Sequence, residues 1–208
     1  MPQSEINAII FDLGGVIVNL DIDRSFRALV GRSGLNSRAE SAIMQNQRFF
    51  FDYEKGLIDD DEFRQGLRQH FKIMGTDEEI DRDWNAMLLD VPQDRIELIR
   101  ELGEKYRLFV LSNTNQIHVD SFESSMQVHN GVADFKGLFE KVYYSHQTGY
   151  RKPQAEIYQM VLNENELNPG ETLFIDDHPD NISSAAQLGI QAVQMEKNGD
   201  LRTYFTDF

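Results

Sequence analysis

Four clusters of polar residues stand out in the chain: Asp12, the run Ser112-Asn113-Thr114-Asn115, Lys152, and the adjacent acids Asp176-Asp177. Singly, most have an ordinary structural explanation. An aspartate at a strand end caps a turn, a Ser-Asn run caps the next helix, and a lysine before a proline lies in solvent. The acidic pair is harder to dismiss, because adjacent carboxylates repel each other unless a cation or a hydrogen-bond donor compensates. Brought together, the four make one chemical kit. A carboxylate can attack phosphorus and form an aspartyl phosphate, and clustered carboxylate oxygens suit Mg²⁺. A lysine with hydroxyl and amide donors can hold the nonbridging oxygens of a phosphoryl group, where charge must be stabilised during transfer.

Such convergence requires elements that all end at one edge. Asp12 follows the apolar run Ala8-Ile9-Ile10-Phe11, Ser112 follows Leu108-Phe109-Val110-Leu111, and Asp176 follows Thr172-Leu173-Phe174-Ile175. Continuous apolar runs with β-branched residues fit strands buried on both faces of a parallel sheet, whose ligands gather at the carboxyl ends. Shorter strands are expected at residues 141–144 and 191–194. Helical patterns alternate with these runs, through Ile96, Leu98, Ile99 and Leu102 after Pro92, through Ile157, Met160 and Val161 after Pro153, and at residues 181–188. The alternation predicts an α/β fold with a doubly wound, Rossmann-like parallel sheet core.

Residues 21–90 break the alternation. The signals Ser37-x-x-Glu40 and Thr76-x-x-Glu79 open helices, and Phe49, Phe50, Tyr53, Leu57, Phe63 and Leu67 recur at helical steps. A helical bundle inserted after the first strand is therefore expected, with residues 1–20 and 91–208 forming the core domain and 21–90 a helical cap domain. Core packing accounts for most of these aromatics. Trp84 is the exception, expected at the junction facing the sheet.

Composition narrows the partners. Twenty basic and thirty-five acidic residues among 208 give a net charge of −15, which repels phosphate backbones and anionic lipid. Neither nucleic acid nor a membrane is an expected partner. A small phosphorylated metabolite is compatible, because one metal ion or lysine reverses the local potential. The absence of cysteine excludes disulfides, zinc-thiolate sites and thiol nucleophiles. The apolar stretch at residues 8–20 contains Asp12, Gly14, Gly15 and Asn19 and follows Glu5 rather than a basic region. It reads as neither a signal peptide nor a membrane span, so a cytoplasmic location is expected. No pattern in the chain sets its oligomeric state.

The order and spacing of these motifs resemble the haloacid dehalogenase (HAD) superfamily over nearly the whole chain. Phe11-Asp12-Leu13-Gly14-Gly15-Val16 resembles its nucleophile loop and Leu111-Ser112-Asn113-Thr114 its second motif. Arg151-Lys152-Pro153 resembles the lysine motif, Phe174-Ile175-Asp176-Asp177 through Asn181 the acidic motif, and the helical insertion occupies the C1 cap position. More closely, the chain is similar to bacterial α-D-glucose-1-phosphate phosphatases. The resemblance implies an enzyme, a Mg²⁺-dependent phosphatase working on a small phosphorylated metabolite, with a sugar 1-phosphate as the suggested substrate. It implies Asp12 as nucleophile and metal ligand, the Gly14 carbonyl and Asp177 as further metal ligands, and Ser112, Asn113 and Lys152 as phosphoryl binders. Asp176 and Asn181 would orient the groups around the metal. Arg48, Phe49, Tyr53 and Trp84 are the cap residues expected to meet the substrate.

One position departs from the superfamily pattern. Most of its phosphatases carry an aspartate two residues after the nucleophile as general acid and base, and here that residue is Gly14. Another group such as His178, a water on the metal, or a substrate with a good leaving group would have to compensate. An anomeric sugar phosphate departs as a hemiacetal oxyanion, more stable than an ordinary alkoxide. Two other functions share the pattern: a 2-haloacid dehalogenase, whose loop also lacks the later aspartate, and a non-catalytic module that binds phosphate esters. The first leaves Asp176-Asp177 unexplained, and the second leaves an intact nucleophile and metal acid without a task.

Overall fold

The computed structural model describes residues 6–33 and 47–205. Its strands are β1 (Ala8–Phe11), β2 (Arg107–Ser112), β3 (Lys141–Tyr144), β4 (Thr172–Asp176) and β5 (Gln191–Gln194), all parallel and in the order β3-β2-β1-β4-β5. The described α-helices are α1 (Ile22–Ser33), α2 (Gln47–Glu54), α3 (Asp60–Phe71), α4 (Asp77–Trp84), α5 (Gln93–Gly103), α6 (Gln116–Asn130), α7 (Ser145–Thr148), α8 (Ala155–Glu164) and α9 (Pro179–Gln187). The doubly wound parallel sheet expected from the three apolar runs is the fold the chain adopts.

The central strand shows why its sequence lacks alternation. Successive side chains of a strand point to opposite faces, and helices cover both faces here. Ile9 and Phe11 pack with Ile96, Ile99 and Phe122 on one side, whereas Ile10 packs with Ile157, Tyr158 and Val161 on the other. Register then sets the site. Phe11 pairs with Val110 and with Ile175, so Asp12, Ser112 and Asp176 emerge together at the carboxyl edge. Near the end of the described chain, Leu201 and Phe205 dock back on the same layer.

Helices α1 to α4 build a third apolar cluster around Leu29, Phe50, Phe63, Leu67, Ile80 and Trp84, into which Ile117 of α6 reaches. The capping box expected at Thr76 and Glu79 is present, and a second one at Asp59 and Glu62 starts α3. The signal at Ser37 and Glu40 lies outside the described residues. Two buried polar side chains tie loops together. Arg95 donates to the Ile17 and Gly199 carbonyls at 3.0 and 2.7 Å, and the Ser25 hydroxyl accepts the Met87 N–H at 2.8 Å.

His118 of α6 is a third buried polar group, stacked on Trp84 at 4.8 Å with Nδ1 2.8 Å from Asn85 Oδ1. Burial pushes its imidazolium down to about 3. The folded pKa lies below the unfolded value of about 6.5, so the unfolded chain takes up the proton first. The contribution of His118 is therefore complete above about pH 6.5 and declines at up to about 1.4 kcal/mol per pH unit below it. In denaturant titrations from pH 7 to 5, His118→Gln should lose about one proton's worth of that slope. A variant whose slope matches the wild type would contradict this assignment.

Candidate active site

The lysine is the hub of the site. Lys152 is 1% exposed, and its Nζ donates to Asp12 Oδ1 at 2.8 Å and to Asp176 Oδ2 at 2.6 Å. Asp12 Oδ1 also accepts the Leu13 N–H at 2.6 Å. Asp176 is fully engaged. Asn181 Nδ2 donates to both its oxygens at 3.0 and 2.9 Å, and the His178 N–H reaches Oδ1 at 2.7 Å. Asp177 turns toward the loop after β1, where a Cβ on Gly15 would stand 2.6 Å from its Oδ2. Gly15 also has φ +79°, so this approach is open only to glycine.

The electrostatics ask for a cation. Asp12, Asp176 and Asp177 each offer an oxygen within 4.8 Å of the others. Burial pushes the Asp12 carboxyl up to about 8 despite the pull of Lys152, with Asp176 and Asp177 adding to the rise. Burial and Asp176 likewise raise Asp177. Burial opposes the charge on Lys152, yet Asp12 and Asp176 outweigh it and hold the ammonium above its usual range. Three acids against one lysine leave an excess of negative oxygen donors in a largely water-excluded spot. That hard, oxygen-only set fits Mg²⁺.

Neighbouring loops fix the parts in place. Asn113 uses both ends of its amide on the lysine backbone: Nδ2 donates to the Lys152 carbonyl at 2.9 Å and Oδ1 accepts the Lys152 N–H at 2.8 Å. Its side chain thus positions the lysine loop. The Ser145 hydroxyl, at the start of α7 just after β3, accepts the Thr114 N–H at 2.9 Å and donates to the Thr114 carbonyl at 3.1 Å. Asn115 caps α6 through the His118 N–H and accepts Trp84 Nε1 at 3.4 Å.

The sequence profile of the haloacid dehalogenase-like hydrolases matches residues 6–189. The chain belongs to that family. It is 31% identical over 203 residues to a D-ribitol-5-phosphate phosphatase of Bacteroides thetaiotaomicron, with 97% of each chain covered. A sesquiterpene phosphatase of Aspergillus oryzae is 25% identical over 191 residues, covering 90% of this chain and 89% of that one. The crystal structure of a HAD family enzyme from Bacteroides thetaiotaomicron, in complex with magnesium and inorganic phosphate, superposes with a TM-score of 0.86. That pair is 33% identical over 96% of this chain and 99% of the other. Within the HAD family the chain therefore falls with phosphatases.

A cavity of about 690 Å³ opens above the HAD motifs, with Asp12, Gly14, Ser112, Asn113, Lys152 and Asp177 on its floor. Asn181 and His178 also border it. His178 is an exposed N-cap whose Nδ1 accepts the Asp180 N–H at 3.3 Å. Of the four residues expected to meet substrate from the helical segment, Trp84 lines this cavity, and Arg48, Phe49 and Tyr53 are not among its described lining. Arg48 is solvent-exposed beside Asp52. Phe49 and Tyr53 both stack on Phe63, within the helical cluster. Phe50, Phe51 and Glu54 of α2 face the cavity instead. Phe49, Phe50 and Phe51 are consecutive on one helix, and periodicity alone does not choose which of them meet the cavity.

Proposed function

We propose that the chain is a Mg²⁺-dependent phosphomonoesterase that cleaves a small phosphorylated metabolite through an aspartyl phosphate on Asp12, with the helical segment as its cap. The observation that carries this reading is Lys152, buried and bonded to both Asp12 and Asp176 beside the Gly14-Gly15 loop. Held by Asp12, Asp177 and the Gly14 carbonyl, Mg²⁺ would neutralise charge on the nucleophile and on the phosphoryl oxygens.

The chain's own groups do the rest. Lys152 and the Leu13 N–H hold one Asp12 oxygen, which aims the carboxylate at phosphorus. As the new bond to the Asp12 oxygen forms, the ester P–O bond breaks and its electron pair leaves with the alcohol oxygen. Lys152 and Ser112 hold the nonbridging oxygens, and Asn113 keeps the lysine on station. Water then attacks the same phosphorus and frees Asp12. The cap restricts solvent during these steps. A dehalogenase would displace halide from carbon without a metal, and the clustered acids Asp12, Asp176 and Asp177 would then have no cation to hold.

Gly14 provides no proton to the departing oxygen, so the reading favours alcohols that leave as stable anions. A sugar 1-phosphate meets that condition, and so does an aryl phosphate. The named relatives act on alcohols as different as a pentitol and a sesquiterpene, and family membership leaves the alcohol open.

The test is phosphate release from an aryl phosphate with Mg²⁺ and with EDTA. Release should fall to background in EDTA and return when Mg²⁺ is restored. Tight binding of the ester with no turnover in Mg²⁺ would instead mark a binding module.

A further inference from the structure

Two independent features of the cavity bear on what the alcohol is, given the phosphatase reading. The first is its walls. Above the polar floor they are formed by Leu20, Phe26, Phe50, Phe51, Trp84 and Phe122. Among the polar side chains around the walls, Glu54 Oε2 accepts from Arg151 at 2.8 Å and His118 Nδ1 lies against Asn85, while Thr114 is buried and Lys197 is exposed to solvent. Burial holds His118 neutral. A polyhydroxy alcohol would bring several hydroxyls to surfaces that offer them few partners, and each unpaired polar group weakens binding. A cavity of this volume suits a small ligand with a hydrocarbon body.

The second feature lies beside the reacting oxygen. A Cβ on Gly14 would stand 2.5 Å from Leu20 Cδ1. The space in which a general acid would begin is therefore filled by a methyl group from the same apolar wall. The loop is held around that point by the Gly15 N–H on the Val18 carbonyl at 2.7 Å and the Val18 N–H on the Leu13 carbonyl at 2.8 Å. Apolar walls select an apolar alcohol, and the missing acid selects one that leaves unprotonated. Sugar phosphates fail the first condition and alkyl phosphates the second.

We propose that the substrate is the phosphate monoester of a phenol-type aromatic alcohol, its ring held by the apolar wall that includes Leu20, Phe26 and Phe51. The ester P–O bond breaks as the Asp12 oxygen bonds to phosphorus, and the electron pair departs on a phenolate. Water supplies the hydroxyl to phosphorus and the proton to the phenolate, so ester and water become phenol and phosphate.

Titration calorimetry on the Mg²⁺-loaded wild type separates this proposal from the reading beneath it. The probes are inorganic phosphate, benzylphosphonate, and the phosphonate analogue of a five-carbon polyol phosphate, none of which can turn over. Benzylphosphonate should bind at least about tenfold more tightly than the polyol analogue. Its binding should also show a clearly negative heat-capacity change. Phe51→Asn and Leu20→Asn should each narrow that ratio. Equal affinities, or a tighter polyol analogue, would overturn the aromatic assignment while phosphate binding kept the phosphatase reading intact. Failure of all three probes, phosphate included, would overturn both. In turnover, hexyl phosphate shares the apolar body but leaves as an alkoxide, and hydrolysis as fast as that of phenyl phosphate would refute the leaving-group half.

Discussion

Asp12→Asn should lower phosphate release by roughly 10⁴-fold or more while leaving the chain folded. The amide is not a nucleophile, and its site still offers Lys152 and the Leu13 N–H as partners. Stability should move the other way. In the metal-free protein, burial and the nearby acids push the Asp12 carboxyl up to about 8, which marks a carboxylate held at a cost. Above that pH the folded chain must carry the charge, and removing it relieves Asp176 and Asp177, so there the variant should melt no lower than the wild type without metal. Mg²⁺ reports the same site by another route. At about 100 times its dissociation constant it should stabilise the wild type by about 2.7 kcal/mol, a rise of roughly 5–10 °C. In the variant that rise should shrink. Phosphate release that survives the substitution would remove Asp12 from the chemistry, and an undiminished Mg²⁺ shift would remove it from the metal site.

The route from sequence to this site ran through the strands. Runs such as Ala8 to Phe11 are readable because a doubly covered parallel strand is apolar at every position. Three such runs, each ending in polar residues, were enough to place Asp12, Ser112 and Asp176 at one edge. Register lay beyond that pattern, as did every contact made across long stretches of chain. Asn113 reads locally as a cap or a phosphoryl donor, yet its amide spans 39 residues to clamp the Lys152 backbone. Ser145 bears no motif at all, because only the pairing of β2 with β3 brings it to Thr114. Glu54 reaches Arg151 across 97 residues and so joins α2 to the lysine loop. Trp84, expected at the junction facing the sheet, donates its indole N–H to Asn115 at the start of α6.

Gly14→Asp combined with Leu20→Ala should raise hydrolysis of an alkyl phosphate by roughly 10²–10⁴-fold, the usual worth of a general acid. Gly14, unlike Gly15, is not among the glycines with positive φ, so its backbone accepts a side chain. What stands in the way is Leu20 Cδ1, 2.5 Å from the new Cβ. Being the end of a flexible side chain, it can be trimmed without touching the loop. Gly14→Asp alone must push that methyl aside and should gain less. Leu20→Ala alone makes room but brings no proton, and alkyl turnover should not gain. An aryl phosphate separates acid catalysis from general loosening, because its phenolate leaves well without help. The double variant should change aryl turnover far less than alkyl turnover, and its alkyl pH–rate profile should fall as the new acid deprotonates. A parallel rise for both esters would mean a wider cavity rather than a new acid. No rise for either would mean that something other than the proton limits the reaction. A rise confined to alkyl esters would tie the range of alcohols this chain can release to one glycine and the methyl group above it.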